Sequence, residues 1–407
     1  MLSDLSDVDH SLQIHALLLE LDKLDGPSSQ AERRKILDKL GLNSDHCAFL
    51  ARRGALAAPQ EKSSRNTGMR VLTELGRQWL ANPALIPQTP AGKARSASIR
   101  DVLRRFASDQ RLPVDKSGYI LASRQLWEQN LWRPLRSRLQ TPRQQDLHLW
   151  VHHLQSSQAF ALNLFGPLQL RLDWALAAWV EEFPAIQDVV FEYPHDGDPL
   201  AEIADGQPHR TRVDVRVDFA GERTALIEVK FTEPTFGPCN AGHSREDIHQ
   251  KRACRQGGLT LPALESACFL MAQRTRRYFS LLLEPGSIAS SEGLASHGQA
   301  GCPLRDGLYQ ISRNLLMVDQ VRRKEGRRAE FVVVAPGRLL NRPLHSCRTL
   351  HGHSDMLEFL QSVVHPEEKD CVRFIEFESV VARAAVMGGE AQAWADYMEK
   401  KYVAALR

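Results

Sequence analysis

The chain has 407 residues, more than one ordinary domain of about 100–200 residues holds, so two or three units are expected. Hydrophobic residues make up 43% and charged residues 25%, a globular composition that excludes a disordered or fibrous chain. Fifty-two lysines and arginines against 49 acids leave a net charge of +3, which excludes a wholesale polycation but not a local basic patch.

No apolar run approaches the ~20 residues needed to cross a bilayer. The start, MLSDLSDVDHSLQ, lacks the basic-then-apolar order of a signal peptide. Seven cysteines, at 47, 239, 254, 268, 302, 347 and 371, suit reduced thiols better than a disulfide framework. A cytoplasmic protein is expected.

Residues 1–85 read as mainly helical. LQIHALLLELDKL carries a helical apolar stripe ended by Asp25-Gly26-Pro27. AERRKILDKLGL forms a second helix, and SDHCAFLARRGAL a third between a Ser44 cap and Gly54. MRVLTELGRQWLAN then passes from a short strand into a last helix. With Val71 to Arg77 as the strand-to-helix exit, this order resembles a winged helix-turn-helix domain. The resemblance implies that the third helix, ending in Arg52 and Arg53, enters a DNA groove. A small helical interaction domain is the other reading.

Residues 86–150 read as a linker followed by a basic helical segment. Between Gly92 and Arg143 stand twelve lysines and arginines against four acids, with Trp127 and Trp132 among them. Such a stretch fits a phosphate-contacting surface. It fits equally a solvated helix face with the tryptophans in the core.

Residues 151–407 follow an α/β order. LQLRLDWALAAWVEEF reads as an amphipathic helix closed by Pro184, and DVVFEY as a short strand. TRVDVRVDF alternates with period two, Gly221 sits in a turn, and TALIEVKF is the next strand, so an antiparallel hairpin is expected. DGLYQISRNLLMVDQVRR is a long helix, and EFVVVAP and CVRFIEF are further strands. A single sheet with helices on its faces follows.

The hairpin holds the sharpest signal. Asp214 lies in its first strand; Glu228 and Lys230 lie two apart in its second, facing one side of an otherwise apolar run. Ionised groups in a central strand cost several kcal/mol unless paired or metal-bound. Asp214 and Glu228 offer the hard oxygen ligands that suit Mg²⁺ (or Mn²⁺), and Lys230 beside such a metal can orient a water and neutralise charge on a phosphate.

Asp214, thirteen residues, then Glu228-Val229-Lys230, within an αβββαβ order, resembles the PD-(D/E)xK nuclease superfamily. Ser156-Ser157-Gln158-Ala159, Asn163-Leu164-Phe165-Gly166 and Ile227 to Glu233 resemble its restriction-endonuclease-like bacterial branch. The resemblance implies a mixed-sheet α/β core in which Asp214 and Glu228 bind Mg²⁺, the Val229 carbonyl adds a ligand, and Lys230 assists the attacking water. It also implies an acid from the preceding helix, here Glu182 or its neighbour Glu181. Val213 stands where the family name has proline, and Asp218 shares the strand parity of Asp214. On the later helix, the resemblance points to Gln310 and Arg313 as contacts to phosphate or metal water; a solvated helix face is the alternative.

Cys239, Cys254, Cys268 and Cys302 flank this region without a close CxxC pair, so free thiols are expected over a metal or cluster. His351-Gly352-His353 reads as a surface turn. The leading expectation is a Mg²⁺-dependent DNA endonuclease, with a homodimer expected for double-strand cutting; a restriction or anti-phage role comes from the resemblance. The alternatives are a non-catalytic winged-helix DNA-binding regulator with a degenerate nuclease domain, and a structural domain whose Glu228 and Lys230 simply pair.

Overall fold

The computed structural model describes residues 17–24, 30–40, 56–57, 71–72, 77, 92–140, 147–194, 197–202, 211–232, 236, 239, 261–272, 275–296, 302, 304, 308–337 and 356–406. The chain divides into two units, 1–98 and 99–407. In the first, helix α1 (Gln30–Leu40) and a two-residue antiparallel ladder, β1 (Leu56–Ala57) with β2 (Val71–Leu72), are defined. The expected third helix with Arg52 and Arg53 lies outside the described residues.

The second unit grows from the period-two hairpin. β4 (Arg212–Phe219) and β5 (Arg223–Val229) pair antiparallel, with Val215 opposite Ile227. Gly221 closes the turn at a φ of +76°, in the left-handed region where a side chain is strained. β3 (Ile186–Pro194) pairs antiparallel with β4, while β6 (Arg328–Ala335) and β7 (Val372–Glu376) add parallel strands beyond β5. The sheet therefore runs β3-β4-β5-β6-β7, the mixed sheet of a restriction-endonuclease-like core.

One face of this sheet (Val215, Val217, Ile227, Val229, Val332, Val334) packs in a core with residues of five helices. These are α2 (Gly92–Asp109), α3 (Ser157–Gln169), α4 (Asp173–Trp179) and, near the C-terminus, a helix over Phe377–Ala385 and another over Gly389–Met398. The other face (Leu226, Phe331, Val333) packs in a second core with the long helix between β5 and β6, α5 (Leu308–Glu325). A parallel β5–β6 pair needs such a crossover, because its strand ends lie on opposite edges.

The expected single helix over 168–183 is two elements instead. α3 begins earlier, capped by the Ser156 side chain accepting from the Ala159 N–H. Arg171 then turns with φ +52°, and α4 ends at Trp179. Residues 158–168 are all buried, so α3 shows no polar stripe and its periodicity is silent. Within it, Asn163 carries the polar load of this core. Its Oδ1 accepts from the Trp132 N–H at 2.6 Å, and its Nδ2 donates to the Asn130 carbonyl (3.0 Å) and the Tyr402 hydroxyl (2.8 Å). Satisfied in this way, a buried amide ties three distant stretches of chain together.

The basic stretch after residue 98 contributes to this core: Ile99, Leu103, Phe106 and Trp132 are buried, and Trp127 packs partly against them. The tryptophans take the core reading rather than the phosphate-stacking one.

Candidate active site

The hairpin register places three carboxylates on one rung. Val215 faces Ile227 across β4–β5 and Phe191 across β3–β4, so the next rung carries Glu192, Asp214 and Glu228 side by side. Lys230, two residues beyond Glu228, stays on the same face, which turns towards α5. Glu228 and Lys230 are almost fully buried, at 1% and 5% exposure, whereas Asp214 keeps a partial opening to solvent.

Helix α5 completes the arrangement. Lys230 Nζ lies 2.7 Å from Glu228 Oε1 and donates to Gln310 Oε1 at 2.9 Å. Gln310 Nε2 in turn donates to Glu228 Oε1 at 2.5 Å, and Asn314 Nδ2 donates to Glu228 Oε2 at 2.8 Å. Gln310 and Asn314 stand one helical turn apart, so both reach the same carboxylate. Asp214 Oδ2 accepts the Val229 N–H at 2.8 Å, which fixes it against the strand that carries Glu228.

The electrostatics disfavour the charged form of Asp214. Burial, reinforced by the Glu228 and Glu192 charges, holds the Asp214 carboxyl well above the usual carboxylate range, against the opposing pull of Lys230 and the Val229 N–H. A divalent cation between Asp214 and Glu228 relieves that repulsion, and the all-oxygen donor pair fits Mg²⁺ or Mn²⁺. Among the described residues, no group of three or more His, Cys, Asp or Glu side chains is placed to hold a metal by itself. Two carboxylates, with water or substrate oxygens completing the shell, is the usual Mg²⁺ arrangement.

Asp214, Glu228, Lys230 and Gln310 are thus brought together, with Val229 between them. Glu182 is not. α4 ends before it, and its carboxylate meets Arg383 at 2.5 Å, while Glu181 meets the same guanidinium at 2.9 Å. The reason is topological: β3 starts opposite Phe219, beside the hairpin turn, and runs towards the site. Residues just before β3 therefore sit at the far end of the sheet from Asp214. Asp218 is also at the turn end, where Arg216 (3.1 Å) and Thr224 (2.6 Å) donate to it. Arg313 faces away from the rung, donating to Thr211 at 2.6 Å and pairing with Glu202 at 3.2 Å.

Three residues escaped the reading of site residues: Asn314, Glu192 and Gln158. Gln158 Nε2 donates to Glu192 Oε1 at 2.5 Å, and Gln158 Oε1 accepts from the His148 N–H at 2.8 Å. Glu192 holds a φ of +49°, a strained conformation of the kind that clusters at functional sites. Its signal was an acid inside the apolar run DVVFEY, the same signal that exposed Glu228. The segment preceding α3 also reaches the site, since Gln155 Nε2 donates to Thr232 Oγ1 at 2.9 Å. It carries Leu149 and Trp150, which are 59% and 56% exposed.

Cys239, Cys268 and Cys302 are buried; Cys254 and His351-Gly352-His353 lie outside the described residues. Among the described residues, no helix is long and apolar enough to cross a membrane.

A family model described as Restriction Endonuclease associating with ARP matches residues 93–403. No curated protein and no solved structure matches the chain.

Proposed function

The chain belongs to the family of restriction endonucleases associating with ARP, and from that premise we propose that it is a Mg²⁺- or Mn²⁺-dependent endonuclease that hydrolyses DNA phosphodiester bonds. The observation that carries this reading is the rung on which Asp214 and Glu228 lie together with Lys230 bonded beside them. Asp214 and Glu228, with the Val229 carbonyl, would hold the cation, which supplies Lewis acidity and a bound water of lowered pKa.

The chain's own residues have distinct tasks. Lys230 presents its ammonium where a water attacks and where charge grows on the phosphate. Gln310 holds that ammonium in place by accepting from it, and fixes the Glu228 carboxylate with its other end. Asn314 secures the second Glu228 oxygen, so the carboxylate cannot rotate out of register. Preorganisation of this kind lowers the reorganisation needed when the reaction occurs. A homodimer cutting both strands, in restriction or anti-phage defence, is the wider setting of this reading.

Plasmid DNA incubated with the purified chain and Mg²⁺ or Mn²⁺ tests the proposal. Cutting is expected, with loss in EDTA and in the Asp214→Ala and Lys230→Ala variants. Undiminished cutting by both variants sinks the site, and binding without cutting by the wild type favours a non-catalytic regulator.

A further inference from the structure

A cavity of about 710 Å³ opens among the end of α2, the turns around residues 129–136 and the helix over Gly389–Met398. It belongs to the helical layer on the sheet face away from Asp214 and Glu228. Its lining collects four cations, Arg111, Arg133, Arg136 and Lys400, against one carboxylate, Asp396. Among the described residues, no carboxylate stands within ion-pair distance of any of the four.

Beneath the floor, burial and the Arg136 charge hold the Lys401 amine well below the usual lysine range. Lys401 is fully buried just beneath, and its Nζ donates to the Asn130 carbonyl and Oδ1 (2.6 Å each) and to the Tyr397 hydroxyl (3.0 Å). Those partners are neutral. Arg136 is held rigidly by the carbonyls of Leu131 (3.1 Å) and Gln129 (3.0 Å). Burial lowers its affinity for a proton; Tyr397 and the Glu128 carboxylate oppose that effect, and the neighbouring Arg133 charge adds to it. Like charges gathered in a concave site, with Asp396 the one carboxylate in its lining, repel one another, and a bound anion reduces the repulsion. The half-buried ring of Tyr397 lines the same space, and its size is that of a small-ligand pocket.

We propose that this cavity binds a nucleotide, its phosphate among Arg133, Arg136 and Lys400 and its base against Tyr397. Guanidinium groups match phosphate oxygens in a fork, and aromatic rings accept a base face without regard to sequence. The nucleotide comes either free or as one unit of a strand, and both present the same phosphate and ring. Binding here is independent of whether the chain cuts nucleic acid.

Isothermal titration calorimetry in EDTA, on the full chain, separates the outcomes. The titrants are AMP, inorganic pyrophosphate and an eight-residue oligothymidylate. AMP is expected to bind, and Arg133→Glu and Lys400→Glu, both at exposed side chains, are expected to weaken it at least about tenfold. Lys116→Glu, an exposed charge reversal outside the cavity, is expected to bind AMP as the wild type does. Melting curves confirm that the variants fold. If the oligonucleotide binds with the same sensitivity while AMP does not, the nucleotide belongs to a strand and the site stands. Absence of binding by all three, binding unaffected by both charge reversals, or pyrophosphate matching AMP overturns it.

Discussion

Lys230 lies 2.7 Å from the Glu228 carboxylate although the two are neighbours on one strand face, and neither is more than 5% exposed. A buried pair of this kind contributes little net stability beside an apolar pair of the same shape. Its presence in a central strand therefore points to chemistry rather than to folding.

Replacing Lys230 by methionine keeps the stem and removes the charge. The rate of plasmid cutting is expected to fall at least about 100-fold, the scale of a lost transition-state donor. Mn²⁺ affinity, read by calorimetry, is expected to stay within a few-fold, because both carboxylates remain. Melting temperature falls less than for an ordinary broken buried pair, since Gln310 and Asn314 still donate to Glu228.

Gln310 acts through its neighbours as a positioning residue. Gln310→Ala is expected to lower the cutting rate about 10–100-fold, as loss of a partner that orients metal ligands does. Its pH–rate profile is expected to shift, because the Lys230 ammonium loses an acceptor. A purely structural role leaves the profile in place and moves only the melting temperature.

Asp214 makes the stability of the metal-free protein depend on pH. Its folded carboxyl titrates well above the unfolded value, so its contribution is complete at low pH and is lost as pH rises through the folded value. In EDTA, stability is therefore expected to fall on going from acid to neutral pH. Asp214→Asn is expected to flatten that dependence and to raise the neutral-pH melting temperature by about 2–4 °C while abolishing activity. An unchanged or lower melting temperature in EDTA refutes the repulsion.

Glu182 separates sequence expectation from structure. Because it pairs with Arg383 at the far end of the sheet, Glu182→Gln is expected to leave cutting unchanged within a factor of two or so. A loss comparable to that of Asp214→Asn in the same assay returns it to the site.

Trp150 is an exposed ring on the segment tied to Thr232 and to Gln158, which itself donates to Glu192. Base stacking on such a ring is worth about 1–3 kcal/mol. Trp150→Ala is expected to weaken binding of a single-stranded oligonucleotide by roughly 5–150-fold, read by fluorescence anisotropy in EDTA. The melting temperature is expected to fall by no more than a few degrees, because more than half of the side chain is already in solvent.

The charged side chains of the site were legible because they violate local rules. Asp214, Glu228 and Lys230 are ions in strands that otherwise alternate or run apolar, and strand parity fixes their common face without knowledge of the fold. The hairpin, its turn at Gly221 and the long helix with Gln310 follow from period and turn chemistry in the same way. What periodicity could not reach was any relation across elements. Helix α3 gave no stripe because it is buried on all sides, and so the 168–183 reading ran through the turn at Arg171. The third acid was sought just before β3, but antiparallel pairing places that end beside the hairpin turn and delivers Glu192 instead. Local sequence dictates which groups must be compensated, since burial of charge is costly wherever it occurs. Only strand order and direction decide which distant side chains supply the compensation, and here they bring Gln310 and Asn314 to Glu228 and leave Glu182 with Arg383.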